Sequence, residues 1–337
     1  MARALGAAMT RFGYAISSEE HNSRDIVRHA ALAEEAGFEF ALISDHFHPW
    51  LDDQGHAPFV WSVLGGIARE TKQLEVGTGV TAPIIRTHPA IIAHAAATTG
   101  ELFEGRFFLG VGTGENLNEH ILGDGWPIYE DRRAMLVEAI EIMRGMFEGD
   151  LFSYRGEYYT VENARLYTLP PEPVRIMVAA SGPESAELAG EMGDGFIGTA
   201  PEAEVVKTFR SSGGEGKPTY GKVTFCWAKT KAEGAKTLHK IWRSSGVPGD
   251  LSYELPLPKH FDQASELVTP EKLVETMPVG PKLDRYVESI QQYMDAGYDS
   301  IYLHQVGPDQ KGFFDFWRKE LQPALAKTRS REPIAVG

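Results

Sequence analysis

Three stretches of this chain gather the side-chain types that handle protons. Ser44-Asp45-His46-Phe47-His48-Pro49-Trp50 puts a carboxylate, two imidazoles and a flat aromatic side by side. Gly112-Thr113-Gly114-Glu115-Asn116-Leu117-Asn118 supplies a second carboxylate and an amide after a glycine-rich run. Ser17-Ser18-Glu19-Glu20 adds two consecutive acids. Imidazole and carboxyl groups in one place are the usual partners of general acid–base chemistry. Blander roles stand beside this one: His46 as a histidine hydrogen-bonded within the fold, and Trp50 as a core aromatic.

These stretches form one site only if the elements before them end together. Eight runs rich in Val, Ile, Phe and Tyr read as strands, at 11–16, 39–44, 73–80, 106–112, 174–180, 194–199, 222–228 and 300–306. Helical patterns lie between them at 24–35 (with Ser23 as its cap), 88–101, 131–147, 184–192, 231–243 and 284–296. That alternation predicts an α/β fold, a (β/α)8 TIM barrel rather than a doubly wound sheet. Barrel sites sit at the C-terminal ends of the strands. The same mouth therefore receives Gly79-Val80-Thr81, Ala179-Ala180-Ser181-Gly182-Pro183, Thr199, His304 and Gln305. Residues 149–173 read as an excursion resembling a small hairpin. The 229–298 segment, between strands seven and eight, is too long for a plain connection and predicts a lid over the mouth. Residues 1–337 read as a single barrel domain carrying these two insertions.

Composition narrows the partners. With 42% hydrophobic and 24% charged residues the chain is ordinarily globular. Its 33 basic against 47 acidic side chains give a net charge of −14, with no basic run, which disfavours nucleic acid and anionic membrane surfaces. One cysteine, Cys226, excludes an internal disulfide and a cysteine-based zinc site and suits a reducing cytoplasm, its thiol reading as an inert core group. No signal peptide or membrane span is read, so a soluble cytoplasmic protein is expected.

Three motifs invite other readings. Gly110-Val111-Gly112-Thr113-Gly114 has the wrong spacing and position for a dinucleotide fingerprint. Its glycines suit either a simple turn or the close approach of a flat cofactor. His46 and His48 have metal-ligand spacing, but strands five and six end in Ala-Ala-Ser-Gly and Gly-Thr, without further ligands, so no metal is expected. Ala180-Ser181-Gly182, just before a helix, fits phosphate held by backbone amides and equally an ordinary helix start with Pro183 at its first position.

The runs SDHFHPW, QGHAPF, LGVGTGENLNE, AASGP, GDGFIGT and HQVGPDQ, in this order, resemble the bacterial luciferase-like superfamily. More closely, the sequence is similar to its coenzyme F420-dependent glucose-6-phosphate dehydrogenase group over roughly residues 10–325. The resemblance implies an insertion-bearing barrel, usually a homodimer, with the deazaflavin across the mouth and an alcohol carbon giving hydride to it. It implies that Asp45 contacts the ring system and that Gly79-Val80 forms a backbone bulge behind it, commonly a non-proline cis peptide. Thr113, Gly114 and Asn118 would line the ring and ribityl chain, and Ala180, Ser181, Gly182 and Thr199 the phosphate end. His46 matches the base that takes the alcohol proton and Trp50 the aromatic against the reacting carbon. Glu115 matches the acid that protonates the reduced ring, and Glu19 a further carboxylate at the mouth. An imidazole suits that step because losing the alcohol proton assists hydride loss.

One departure from the resemblance bears on substrate. Glucose-6-phosphate enzymes hold the sugar phosphate with two lysines and an arginine. Here Glu202 stands where the first lysine is expected, with Gln263 and Thr276 aligned to the other two. Losing three charge-assisted contacts of ~1.5–3 kcal/mol each predicts that the substrate is not a phosphosugar. The resulting expectation is an F420-dependent enzyme acting on a small alcohol or carbonyl compound. The alternatives are an FMN-dependent monooxygenase of the same superfamily and a non-catalytic deazaflavin-binding protein.

Overall fold

The eight apolar runs pair in parallel and close on themselves. A computed structural model describes residues 10–329. Its barrel strands are β1 (Arg11–Ile16), β2 (Phe40–Ile43), β3 (Glu75–Thr78), β4 (Phe107–Val111), β7 (Arg175–Ala179), β8 (Gly195–Gly198), β9 (Thr219–Phe225) and β10 (Ser300–Gln305). The order around the barrel is β1-β10-β9-β8-β7-β4-β3-β2, with helices outside. The 149–173 excursion carries the antiparallel pair β5 (Phe152–Arg155) and β6 (Thr160–Ala164).

Packing explains the composition of the strands. Ala15, Phe40, Leu42, Phe108, Met177, Ile197, Tyr220 and Tyr302 fill the barrel interior. The Phe40 and Phe108 rings lie where a Cβ on Gly13 or Gly77 would stand, at 2.3 and 2.1 Å, so glycine on one strand makes room for an aromatic on the next. Outside, Phe38 stacks on Trp317 at 4.5 Å, and the Trp317 indole donates to the Ala36 carbonyl just after the first helix.

Two local expectations shift. Helix Ser23–Glu35 is capped by Asn22, whose side chain accepts from the amides of Arg24 and Asp25, rather than by Ser23. The seventh barrel strand runs from Thr219 to Phe225, three residues ahead of the expected 222–228. Its apolar run continues past the barrel because Cys226 leaves the ladder and bridges to Val279 of the lid. The Cys226 thiol is buried, which pushes its pKa up to about 12. The lid itself is helical, with segments Lys231–Trp242, Leu251–Glu254, Pro258–Ala264 and Pro270–Thr276 leading to helix Leu283–Asp295.

Candidate active site

Glu19 and His46 meet at the ends of β1 and β2. The Glu19 Oε1 lies 3.4 Å from His46 Nε2, and both side chains are buried. Oε2 accepts from the hydroxyls of Ser44 at 2.6 Å and Ser17 at 3.0 Å. Burial opposes ionisation of Glu19, but His46 and these hydroxyls outweigh it and hold the carboxyl at about 2. The other imidazole nitrogen, Nδ1, lies 3.0 Å from the His48 carbonyl and 3.2 Å from the Asn118 amide nitrogen. One neighbour accepts and the other donates, so the ring is accommodated with or without a proton on Nδ1. His48 turns away: its Nδ1 faces the Leu117 carbonyl at 2.8 Å, and its ring stacks on His120. The two histidines therefore do not converge, and no group of three or more His, Cys, Asp or Glu side chains among the described residues is arranged to hold a metal ion.

Asn118 organises the neighbouring loop. Its Oδ1 accepts from the backbone amides of Phe47 and His48, and its Nδ2 reaches Glu115 Oε2 at 3.5 Å as well as His46. Trp50 is part-buried, 5.0 Å from the His46 ring, and packs edge-on against Phe261 of the lid. Its position joins the core-aromatic and mouth readings, because one face is packed and the residue remains part-exposed.

Asp45, also buried, accepts from Thr81 Oγ1 at 2.9 Å and pairs with Arg86 at 3.1 Å. Arg86 in turn lies 3.3 Å from Glu119, whose other oxygen accepts the Arg86 backbone amide. Burial dominates at Glu119 and, despite the guanidinium, pushes its pKa up to about 7.

Above the barrel core the surface is made of small and apolar groups. Val80 and Ala179 are half-buried and rest on the interior cluster. The β3 ladder breaks at Gly79-Val80, a cis peptide, and resumes with a bridge from Thr81 to Val111. A Cβ on Gly112 would meet Val80 at 2.9 Å, and Gly114 adopts φ +69 against Ala82 and Glu119. Thr113 is part-exposed beside them. Ala180, Ser181 and Gly182 lead into helix Pro183–Met192, and the space beyond Gly182 is open for 4 Å. There Ser185 Oγ accepts from the amides of Ser181 and Gly182. Thr199 stands exposed at the end of β8, its carbonyl held by Tyr293.

Arg86 sits outside any recognisable motif, and Glu119 closes the LGVGTGENLNE run without a role read for it from sequence. Glu20 pairs with His304 at 3.1 Å, both buried, although each had been placed at the mouth only by strand-end position. Lys222 is inward-facing on β9, and its parity with Tyr220 was the available signal.

The family model for luciferase-like monooxygenase matches residues 4–300. An F420-dependent glucose-6-phosphate dehydrogenase of Segniliparus rotundus is 35% identical, covering 94% of this chain and 98% of that one. A protein of the same description from Mycolicibacterium smegmatis is 33% identical, covering 95% and 99%. Among solved structures, an F420-dependent secondary alcohol dehydrogenase in complex with an F420-acetone adduct superposes with a TM-score of 0.87 at 28% identity, covering 94% of this chain and 99% of that one. Matched over most of its length by the family model and nearly end to end by these relatives, the chain belongs to the luciferase-like monooxygenase family.

Proposed function

We propose that this chain is an F420-dependent oxidoreductase exchanging a hydride between an alcohol carbon and the deazaflavin. The observation that carries the reading is the continuous run Glu19–His46–Asn118–Glu115 beside a shelf of small residues, Val80, Gly112 and Ala179. The shelf suits the cofactor: its residues are small, its glycine has no room for a side chain, and the Asp45 carboxylate is tied to Thr81, the neighbour of Val80. Beyond it, the amides opening helix Pro183–Met192 suit a phosphate, with Ser181, Gly182 and Thr199 around it. When bound there, the deazaflavin supplies hydride acceptance and return.

The protein's own groups would do the rest. Asp45, Gly79, Val80, Thr113, Gly114 and Ala180 would hold the ring and its chain. His46 would take the alcohol proton, the ionised Glu19 stabilising the positive imidazole that results. Glu115 would hold the proton destined for the reduced ring, and Trp50 would pack against the reacting carbon. This is general acid–base assistance to hydride transfer.

A phosphosugar substrate is disfavoured. Glu202 is exposed ahead of helix Ala203–Phe209 and offers a negative charge where a phosphate would need a positive one. Nearby Lys207 pairs with Glu204, and Lys217 donates to the Gly190 carbonyl. We read the substrate as a small alcohol or its carbonyl product. No described helix is long and apolar enough to cross a membrane. The resemblance further implies a cytoplasmic homodimer, a mass that light scattering checks.

The deciding experiment titrates the purified protein with F420 and FMN in competition, then screens alcohols for loss of oxidised-ring absorbance. The reading expects F420 to win and at least one secondary alcohol to reduce it. Displacement of F420 by equimolar FMN would move the protein to the monooxygenase alternative. Tight F420 binding with no turnover in either direction would leave a binding protein.

A further inference from the structure

Lys222 is an inward-facing cation that the proposed chemistry leaves unused. It lies on β9 opposite Tyr302 of β10, one step above Tyr220 on the same inward face. Two residues on, Thr224 Oγ1 reaches the His304 imidazole at 3.4 Å, which fixes this face as the wall of the mouth. Trp242, from the lid helix Lys231–Trp242, covers the ammonium at 5.8 Å and meets the edge of His304 at 4.7 Å. Among the described residues Lys222 has no hydrogen-bond acceptor and no carboxylate at ion-pair distance. Glu19 and Glu115 act on it only at longer range, while burial favours its neutral form. Glu19 is already engaged by His46 and three hydroxyls, and Glu115 faces Asn118.

Enclosing an ammonium without a partner is costly, and such groups gather where a ligand supplies the partner. The residue is only part-buried, and the carboxylates that act on it, Glu19 and Glu115, both belong to the mouth. We propose that Lys222 is a substrate-binding residue that holds a second, uncharged oxygen of the substrate, a hydroxyl or carbonyl next to the reacting carbon. The negative charges nearby, the ionised Glu19 and the Glu20 that pairs with His304, select against an anionic group at the same place. The substrate class is thus a vicinal diol or hydroxy ketone rather than a hydrocarbon alcohol or a hydroxy acid. This assignment rests on the alcohol–deazaflavin reading and deepens it.

Binding to the F420-loaded protein tests it apart from turnover: oxidised cofactor cannot reduce a carbonyl, and unchanged ring absorbance shows that the hydroxyl of hydroxyacetone is not being oxidised. Calorimetry with acetone, hydroxyacetone and pyruvate compares no second oxygen, a neutral one and an anionic one. Wild type is expected to bind hydroxyacetone about tenfold to a hundredfold more tightly than acetone, the range for one charge-assisted hydrogen bond. Lys222→Met should erase that preference, and Lys222→Gln, which keeps a neutral donor, should retain part of it. Retained F420 affinity in each variant reports an intact barrel. Equal binding of acetone and hydroxyacetone by wild type, or an unchanged preference in Lys222→Met, overturns the role of Lys222 alone. Pyruvate binding most tightly overturns the neutral class. If F420 binds and none of the three compounds does, the alcohol–deazaflavin reading fails and this assignment fails with it.

Discussion

The Asn118 amide nitrogen lies 3.2 Å from His46 Nδ1, while its oxygen clamps the two backbone amides that follow His46. Asn118 therefore sets both the position of the imidazole and the group its far nitrogen meets. Asn118→Asp keeps an acceptor for the clamp and removes the donor. Thermal stability should stay near wild type while turnover falls about tenfold to a hundredfold and its pH profile moves, as expected when a base is held in the wrong state. A wild-type pH–rate profile in this variant would exclude control of His46 by Asn118.

His46→Ala and Glu115→Gln should each lower turnover with an alcohol by ~10²–10⁴. F420 affinity should change far less, since the proposed ring contacts come from Asp45 and backbone. Trp50→Ala should raise KM as well, because it removes surface beside the substrate. Near-normal turnover of the His46 variant across neutral pH would transfer the base role to Glu19.

Glucose 6-phosphate should be a poor substrate. Replacing the exposed carboxylate with a cation, Glu202→Lys, should raise kcat/KM for it about tenfold, the worth of one phosphate contact. Efficient wild-type turnover at micromolar sugar phosphate would contradict this directly.

Stability should respond to pH through two buried carboxyl groups of opposite sign. Glu119, pushed up from 4.5 to about 7, binds a proton in the folded state that the unfolded chain releases. Its contribution is therefore lost as pH rises from about 4.5 towards 7. Glu119→Gln should flatten that decline by about 3 kcal/mol, read as denaturant midpoints at pH values on either side of the window. Glu19 is held down at about 2, so its contribution is present above about 4.5 and lost as pH falls towards 2. An unchanged acid limb in Glu19→Gln would contradict the environment described for it.

The strands were legible because β-branched and aromatic runs alternate with helical periodicity, and a barrel is what that alternation builds. The mouth followed from strand ends alone, which is why His46, Glu115 and Glu19 could be named before any distance was known. Arg86 could not. Its loop carries no pattern, and its importance comes from bridging Asp45 and Glu119, residues 41 and 33 positions away. Lys222 is hidden by register: a strand beginning at 222 leaves it first in the run, whereas the observed start at Thr219 sets it two residues after the inward-facing Tyr220. Ser23 lost the cap to Asn22 because both types cap helices and only backbone geometry chooses between neighbours.

Glu19 and Glu20 are consecutive, yet they reach to histidines on opposite sides of β1, the strand that lies between β2 and β10. His46 leaves the ribosome soon after them, but His304 belongs to the last of the eight barrel strands to be made. Until that strand docks beside β1, Glu20 has no imidazole, the Gly307 amide that it also binds is missing, and the wall carrying Lys222 has an unpaired edge. The centre thus matures only when the eighth barrel strand docks. A nascent or truncated chain stopping before residue 300 would hold Glu19, His46 and Glu115 without a closed barrel around them, which defers the pocket until β10 is in place.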